Sequence, residues 1–185
     1  MKFSGSYELN SCKKKVWENL NNIDVLKKCI DGCQEFLYKE KNEYNAKIFI
    51  KLGPVNASFR STIEINNIIK EESYEIVAQG NAGQLGNASG KVIIFLKELD
   101  KTTVLNYEAD TRINGRIAQL GSRLIDGSVK KNTDLFFQNF SAVLNEDSKV
   151  ILNEKENNTI MKKVKVLACL ILLFLIILFL GLYVR

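Results

Sequence analysis

The stretch Val166-Leu-Ala-Cys-Leu-Ile-Leu-Leu-Phe-Leu-Ile-Ile-Leu-Phe-Leu-Gly-Leu-Tyr-Val184 constrains the chain more than any other. Its nineteen residues include no charge, no proline and no amide side chain. At a helical rise of roughly 1.5 Å per residue they reach about 28 Å, close to the hydrocarbon thickness of a bilayer. Each Leu, Ile, Phe or Val near the centre favours insertion by roughly 0.3–0.6 kcal/mol, so the whole run prefers lipid. A buried helix of a soluble core keeps a polar stripe, and this run has none. The expectation is one transmembrane helix, with Val166, Leu173, Leu180 and Val184 spaced along it.

The flanks orient it. Lys162, Lys163 and Lys165 precede the run and only Arg185 follows. The positive-inside rule then keeps the N-terminal side in the cytoplasm, so the expected location is the cytoplasmic (inner) membrane, single-pass, with a C-terminal anchor. Tyr183 stands where an interfacial aromatic would, Gly181 has no small partner four residues away, and Cys169 reads as an ordinary lipid-facing thiol. Met1–Asn10 has no apolar core of the signal-peptide kind. The chain thus divides into a globular part at 1–140, a polar linker at 141–161 rich in Asn and Glu, and the anchor at 162–185.

Composition removes several function classes. The formal net charge is +5, and three lysines beside the apolar run can each attract anionic headgroups by about 1 kcal/mol. No basic stripe with interleaved aromatics is present, so nucleic acid is not an expected partner. There is no histidine at all. Ser-His-Asp and Cys-His catalysis, His-ligated zinc and haem are therefore excluded. Cys29 and Cys33 are a single pair without histidine or a second pair; buried thiols flanking a turn describe them better than a metal site.

Along the chain, Phe3–Leu9 reads as a strand with Phe3, Gly5, Tyr7 and Leu9 on one face. Ser11 is placed to cap a helix at Lys13–Leu20, and Ile23–Lys28 makes a second. Strands follow at Glu35–Lys39 and Tyr44–Leu52. After the Gly53-Pro54 turn, Val55, Ala57, Phe59, Ser61, Ile63 and Ile65 alternate with Asn56, Ser58, Arg60, Thr62, Glu64 and Asn66. Further strands are expected around Tyr74–Ala78, at Val92–Leu99 and at Thr103–Ile113. From Gly115 to about Phe140 the period becomes helical, with Ile117, Leu120, Leu124 and Ser128 on one side, joined later by Leu135, Phe136 and Phe140, and with Asp126 and Lys130 four apart as a favourable pair. The stretch beyond reads as a tether or a helix extension. The order β–α–α–β meander–long α describes an α+β fold, an antiparallel sheet wrapped round a C-terminal helix. One helix fills a strongly bent sheet poorly, and the small Ala57, Ala109, Gly121 and Ser128 point to a cavity.

The Val16-Trp17 pair, Cys29-Ile30-Asp31-Gly32-Cys33, Lys51-Leu52-Gly53-Pro54-Val55, the glycine-rich stretch before Lys91, and Ala118-Gln-Leu-Gly-Ser-Arg-Leu-Ile-Asp-Gly127 fall in an order that resembles the CoxG family, named after the CoxG subunit of carbon monoxide dehydrogenase. That family belongs to the START-like, or SRPBCC, helix-grip superfamily. The resemblance runs from Met1 to about Phe140; Asp31 departs from it, standing where the family usually has proline. It implies a helix-grip fold with a hydrophobic cavity. It also implies a role beside molybdenum-containing hydroxylases of the carbon monoxide dehydrogenase type, recruiting them to the membrane or passing a lipid-like carrier such as a quinone.

Candidate residues follow. Phe59, Ile63, Leu105, Leu120 and Leu124 are core residues by default and cavity wall if a cavity exists, with Tyr107 and Gln119 as polar handles for a ligand. Arg123 and Asp126 are either an exposed pair or a partner contact. The glycine-rich Gly80–Gly90 stretch lacks the Gly-Lys-Ser/Thr ending of a phosphate loop and reads as a flexible hairpin or a loop at the cavity mouth. The expected function is a non-catalytic membrane adaptor that needs no cofactor beyond a bound lipid or quinone. The alternatives are a lipid-modifying enzyme of the same superfamily, depending on Tyr107 and a nearby carboxylate, and a purely structural scaffold with a solid interior.

Overall fold

Period-two alternation builds most of the molecule, a computed structural model in which residues 1–146 are described. The strands are β1 (Lys2–Leu9), β2 (Cys33–Tyr38), β3 (Glu43–Leu52), β4 (Val55–Ile69), β5 (Ser73–Asn81), β6 (Asn87–Leu99) and β7 (Thr102–Asn114). They make one antiparallel sheet in the order β1-β7-β6-β5-β4-β3-β2. Strands β2 to β7 form the expected meander, and β1 adds itself to the far edge by pairing with β7, Gly5 opposite Tyr107. Helices α1 (Lys13–Leu20) and α2 (Ile23–Cys29) link β1 to β2. A long helix, α3, occupies residues 122–146. Residues 1–145 form one compact unit. The anchor at Val166–Val184 and the linker from 147 onward lie outside the described residues; among the described residues no helix is long and apolar enough to cross a membrane.

Several local expectations need correction. Ser11 does not cap α1: the cap position is Cys12, without a side-chain bond. Ser11 is instead buried, and its carbonyl accepts a hydrogen bond from Thr103 Oγ1 at 2.7 Å. Asn22, by contrast, caps α2, its Oδ1 accepting from the backbone N–H of Asp24 and Val25 at 2.9 and 3.4 Å. β6 starts at Asn87 rather than Val92, so most of the glycine-rich stretch is paired strand around a tight turn at Gly83–Leu85.

The largest correction concerns α3. Ala118–Leu120 form a separate 3₁₀ turn, and Gly121, at φ +84°, breaks the chain before the helix begins. Beyond the break the inward face is Ile125, Val129, Phe136, Phe137, Phe140 and Leu144: Phe136 and Phe140 face inward as expected, Ile125 and Val129 take the places expected of Leu124 and Ser128, and Leu120 stays in the 3₁₀ turn. The helix also continues through 146, beyond the expected linker start at 141, because Leu144 is buried in the core. Lys130 pairs with Asp134 at 2.7 Å and not with Asp126.

Candidate ligand cavity

The interior is packed at its two ends and hollow between them. At one end, Val16, Trp17, Leu20, Val25 and Cys29 from α1 and α2 meet Phe137, Phe140 and Leu144 of α3 against Leu9, Leu96 and Leu105. At the other, Leu52, Ala57, Phe59 and Ile117 make a smaller cluster with Leu120 beside it. Between the clusters lies a cavity of about 650 Å³.

Strand register explains where the space comes from. Successive inward levels of the sheet read Ser61–Gly80–Ala88 and Ile63–Ala78–Gly90–Thr111 across neighbouring strands. Glycine and alanine at these crossings leave the concave face without bulk, and α3 passes over it with Val129, Asn132 and Thr133. Scaled at about 24 cal/mol per Å³ of cavity, a sealed and empty void of this size costs on the order of 15 kcal/mol, as much as a whole domain's stability. Such a cavity is filled or in exchange with solvent. Its size falls within the roughly 300–1,000 Å³ range of ligand pockets.

The wall is dominated by aliphatic and aromatic side chains and carries no charged residue. Polar groups reach it from Tyr44, Tyr74, Tyr107, Ser61, Asn132 and Thr133. Tyr107 lies over Gly5, where a Cβ would come within 2.6 Å of its ring, so the glycine makes room for the tyrosine. Beside it, Tyr7 stacks on Phe137 at 3.9 Å between ring centroids and donates its hydroxyl to Asp134 Oδ1 at 2.6 Å. Lys130 donates to the other oxygen of that carboxylate at 2.7 Å. Burial, reinforced by the Asp134 hydrogen bond and charge, pushes the Tyr7 phenol well above its ordinary value. The Lys130 and Tyr7 hydrogen bonds hold the Asp134 carboxyl below its own.

Of the residues singled out in the sequence, Phe59, Ile63, Leu105 and Tyr107 stand on the cavity wall. Gln119 and Leu120 sit in the 3₁₀ turn outside it, and Leu124 is 44 % exposed. Arg123 and Asp126 are exposed on the first turns of α3 and form no ion pair with each other. Cys29 is buried and Cys33 half-buried, and burial pushes both thiols up. Among the described residues no three His, Cys, Asp or Glu side chains gather as a metal site requires. Sequence reasoning missed Tyr44, Tyr74 and Ile125 as wall residues. The two tyrosines share the inward parity of Ile48 and Ile76 on their strands, which was the available signal.

A seven-stranded antiparallel sheet gripping one long C-terminal helix, hollow in the middle, defines a helix-grip protein of the START-like superfamily. The sequence profile of the CoxG subunit of carbon monoxide dehydrogenase matches residues 5–145, and the chain belongs to that family. Among solved structures, a conserved protein from Geobacillus kaustophilus is similar at 26% identity and TM-score 0.75, the match covering 79% of this chain and 96% of that one. A Thermus thermophilus protein shares the fold at 9% identity and TM-score 0.61, covering 80% and 99%. The Zhui aromatase/cyclase from Streptomyces sp. R1128 shares it at 12% identity and TM-score 0.56, covering 78% and 93%. No curated protein sequence matches the chain. The Geobacillus structure is hardly longer than the matched unit, and residues 1–145 hold the complete sheet and its core as one compact unit, so a fragment ending at 146 is expected to fold by itself.

Proposed function

We propose that the protein is a non-catalytic, membrane-anchored carrier or adaptor. Its helix-grip head binds a hydrophobic ligand, a lipid or a quinone, and the Val166–Val184 run holds the head at the cytoplasmic face of the membrane. The partner that fits the family is a molybdenum-containing hydroxylase of the carbon monoxide dehydrogenase type, with Arg123 and Asp126 available as exposed contacts. The observation that carries the reading is the cavity, large, apolar and without a charged side chain.

The enzyme alternative requires a carboxylate within reach of the Tyr107 hydroxyl on the wall. The wall has no acid, and the Asp134 carboxylate is engaged by Tyr7 and Lys130. A wall without an acid supports the binding reading over proton-transfer chemistry. A solid scaffold fits poorly with so much open volume.

Two measurements test the proposal separately. Residues 1–146 purified from the native host should release lipid or quinone on solvent extraction; a head that yields none, and takes up none in titration, removes the carrier function. The full chain should float with liposomes while a version ending at Asn158 should not; flotation of both would remove the anchor.

A further inference from the structure

The cavity wall offers more chemistry than greasiness, at Tyr74. This residue stands on β5 opposite Ile94 of β6, with the Trp17 indole edge-on at 5.5 Å. Only 4 % of it is exposed. Among the described residues its hydroxyl finds no hydrogen-bond partner. Native structures rarely seal such a group away, and here, among the described residues, no unpartnered side-chain oxygen or nitrogen is sealed. The hydroxyl therefore opens on the cavity that its ring lines. Tyr44, opposite Ile63 on the neighbouring pair of strands, lines the same space.

Burial pushes both phenols up, so both remain neutral at ordinary pH. A neutral phenol is an effective donor, and it suits an acceptor oxygen. The rest of the wall supplies no cation to meet a carboxylate or phosphate, and an unpaired charge is costly to bury.

We propose that the guest is an uncharged lipid bearing a carbonyl oxygen, and that Tyr74 donates a hydrogen bond to that oxygen. This rests on the carrier reading above and names its ligand class. The carbonyl end points to the packed end formed by α1 and α2, and the hydrocarbon lies along Ala78, Gly90 and Ala109 beneath α3.

The test uses residues 1–146 and displacement of the neutral dye Nile red at pH 8. Three probes of equal chain length are compared: hexadecane, methyl hexadecanoate and hexadecanoate. The ester is expected to bind about five- to tenfold tighter than the alkane, the value of one hydrogen bond. The carboxylate is expected to bind at least about tenfold more weakly than the ester. Tyr74→Phe should abolish the ester's advantage while leaving alkane affinity within about twofold, and its melting temperature should not fall, since the lost hydroxyl had no protein partner. An ester preference that survives Tyr74→Phe overturns the assignment, as does a carboxylate bound as tightly as the ester. If Tyr74→Phe does not fold, the infrared carbonyl stretch of the ester bound to the parent protein decides: a hydrogen-bonded downshift supports the proposal, and an unshifted band overturns it. Failure of all three probes to displace the dye is a different result, because it removes the carrier reading itself.

Discussion

The two halves of α3 cross the same sheet and do different jobs. Its C-terminal half is aromatic and tied down. Phe136 stacks on Phe140 at 5.8 Å and Phe137 on Tyr7, while Tyr7 bonds to Asp134, Asn139 Nδ2 to the Cys29 carbonyl at 3.2 Å, and Lys15 Nζ to the Leu144 carbonyl at 2.8 Å. Its N-terminal half presents Ile125, Val129, Asn132 and Thr133 to the cavity, and Gly127 has open space where a Cβ would stand. The difference teaches that the fold is held from one end. Stability is concentrated where α1, α2 and the aromatic half of α3 meet, which leaves the middle of the sheet free to stay hollow.

Breaking the packed half should have the largest effect. Phe140 is fully buried, and Phe140→Ala is expected to cost about 3–5 kcal/mol in urea denaturation. Val129→Ala, facing the cavity, should cost less than about 1 kcal/mol because its methyl groups already border open space. Equal costs at the two sites would mean that the helix is held uniformly along its length.

Filling the hollow half should invert the pattern. Ala109→Leu adds side chain to the wall beside Val92 and Phe3, so it should lower affinity for a bound lipid about tenfold or more. Its unfolding free energy should stay level or rise, since the new atoms enter empty volume. Leu124→Trp is the control: that side chain is exposed, and the substitution should leave binding unchanged in the same titration. A blocked cavity in the Leu124 variant would place the helix face back where the sequence periodicity puts it.

That contrast shows what was legible. Strands were, because alternation such as Val55 to Ile65 leaves one register that buries the apolar set. The wall residues Phe59, Ile63, Leu105 and Tyr107 followed from the same parity. The face of the first turns of α3 was not legible, although Phe136 and Phe140 further along were, because a single glycine at φ +84° resets the helical phase and periodicity carries no mark of such a reset. Leu124 and Ser128 were misplaced for that reason, whereas Gln119 and Leu120 lie before the glycine, in the 3₁₀ turn. The cavity was legible as a bent sheet with one helix, and so was Ala109 on its wall, but its other small residues were not. Ala57 turned out to be packed in a cluster, while Ala78, Gly80, Ala88 and Gly90 open the space, because which small residues coincide depends on pairing between strands remote in sequence.

The Tyr7–Asp134–Lys130 network stands where the two halves of α3 join, and it should give the smallest effect. Lys130 and Tyr7 lower the Asp134 carboxyl in the folded protein, so its ionised form is favoured by folding. The contribution is present above the unfolded value of about 3.9 and is lost as pH falls through the lower folded value. The carboxylate is half-exposed, which screens the pair and makes the effect small and salt-sensitive. Asp134→Asn should therefore lower the melting temperature slightly at pH 7 and low salt, with parent and variant converging as the pH is taken toward about 3 and below. Convergence at high salt and neutral pH would point to the ion pair with Lys130 as the source, and a difference that persists there would point to the Tyr7 hydrogen bond. In the second case Tyr7→Phe should reproduce the loss, tying the edge strand β1, rather than surface charge, to the point where the packed half of the helix gives way to the hollow one.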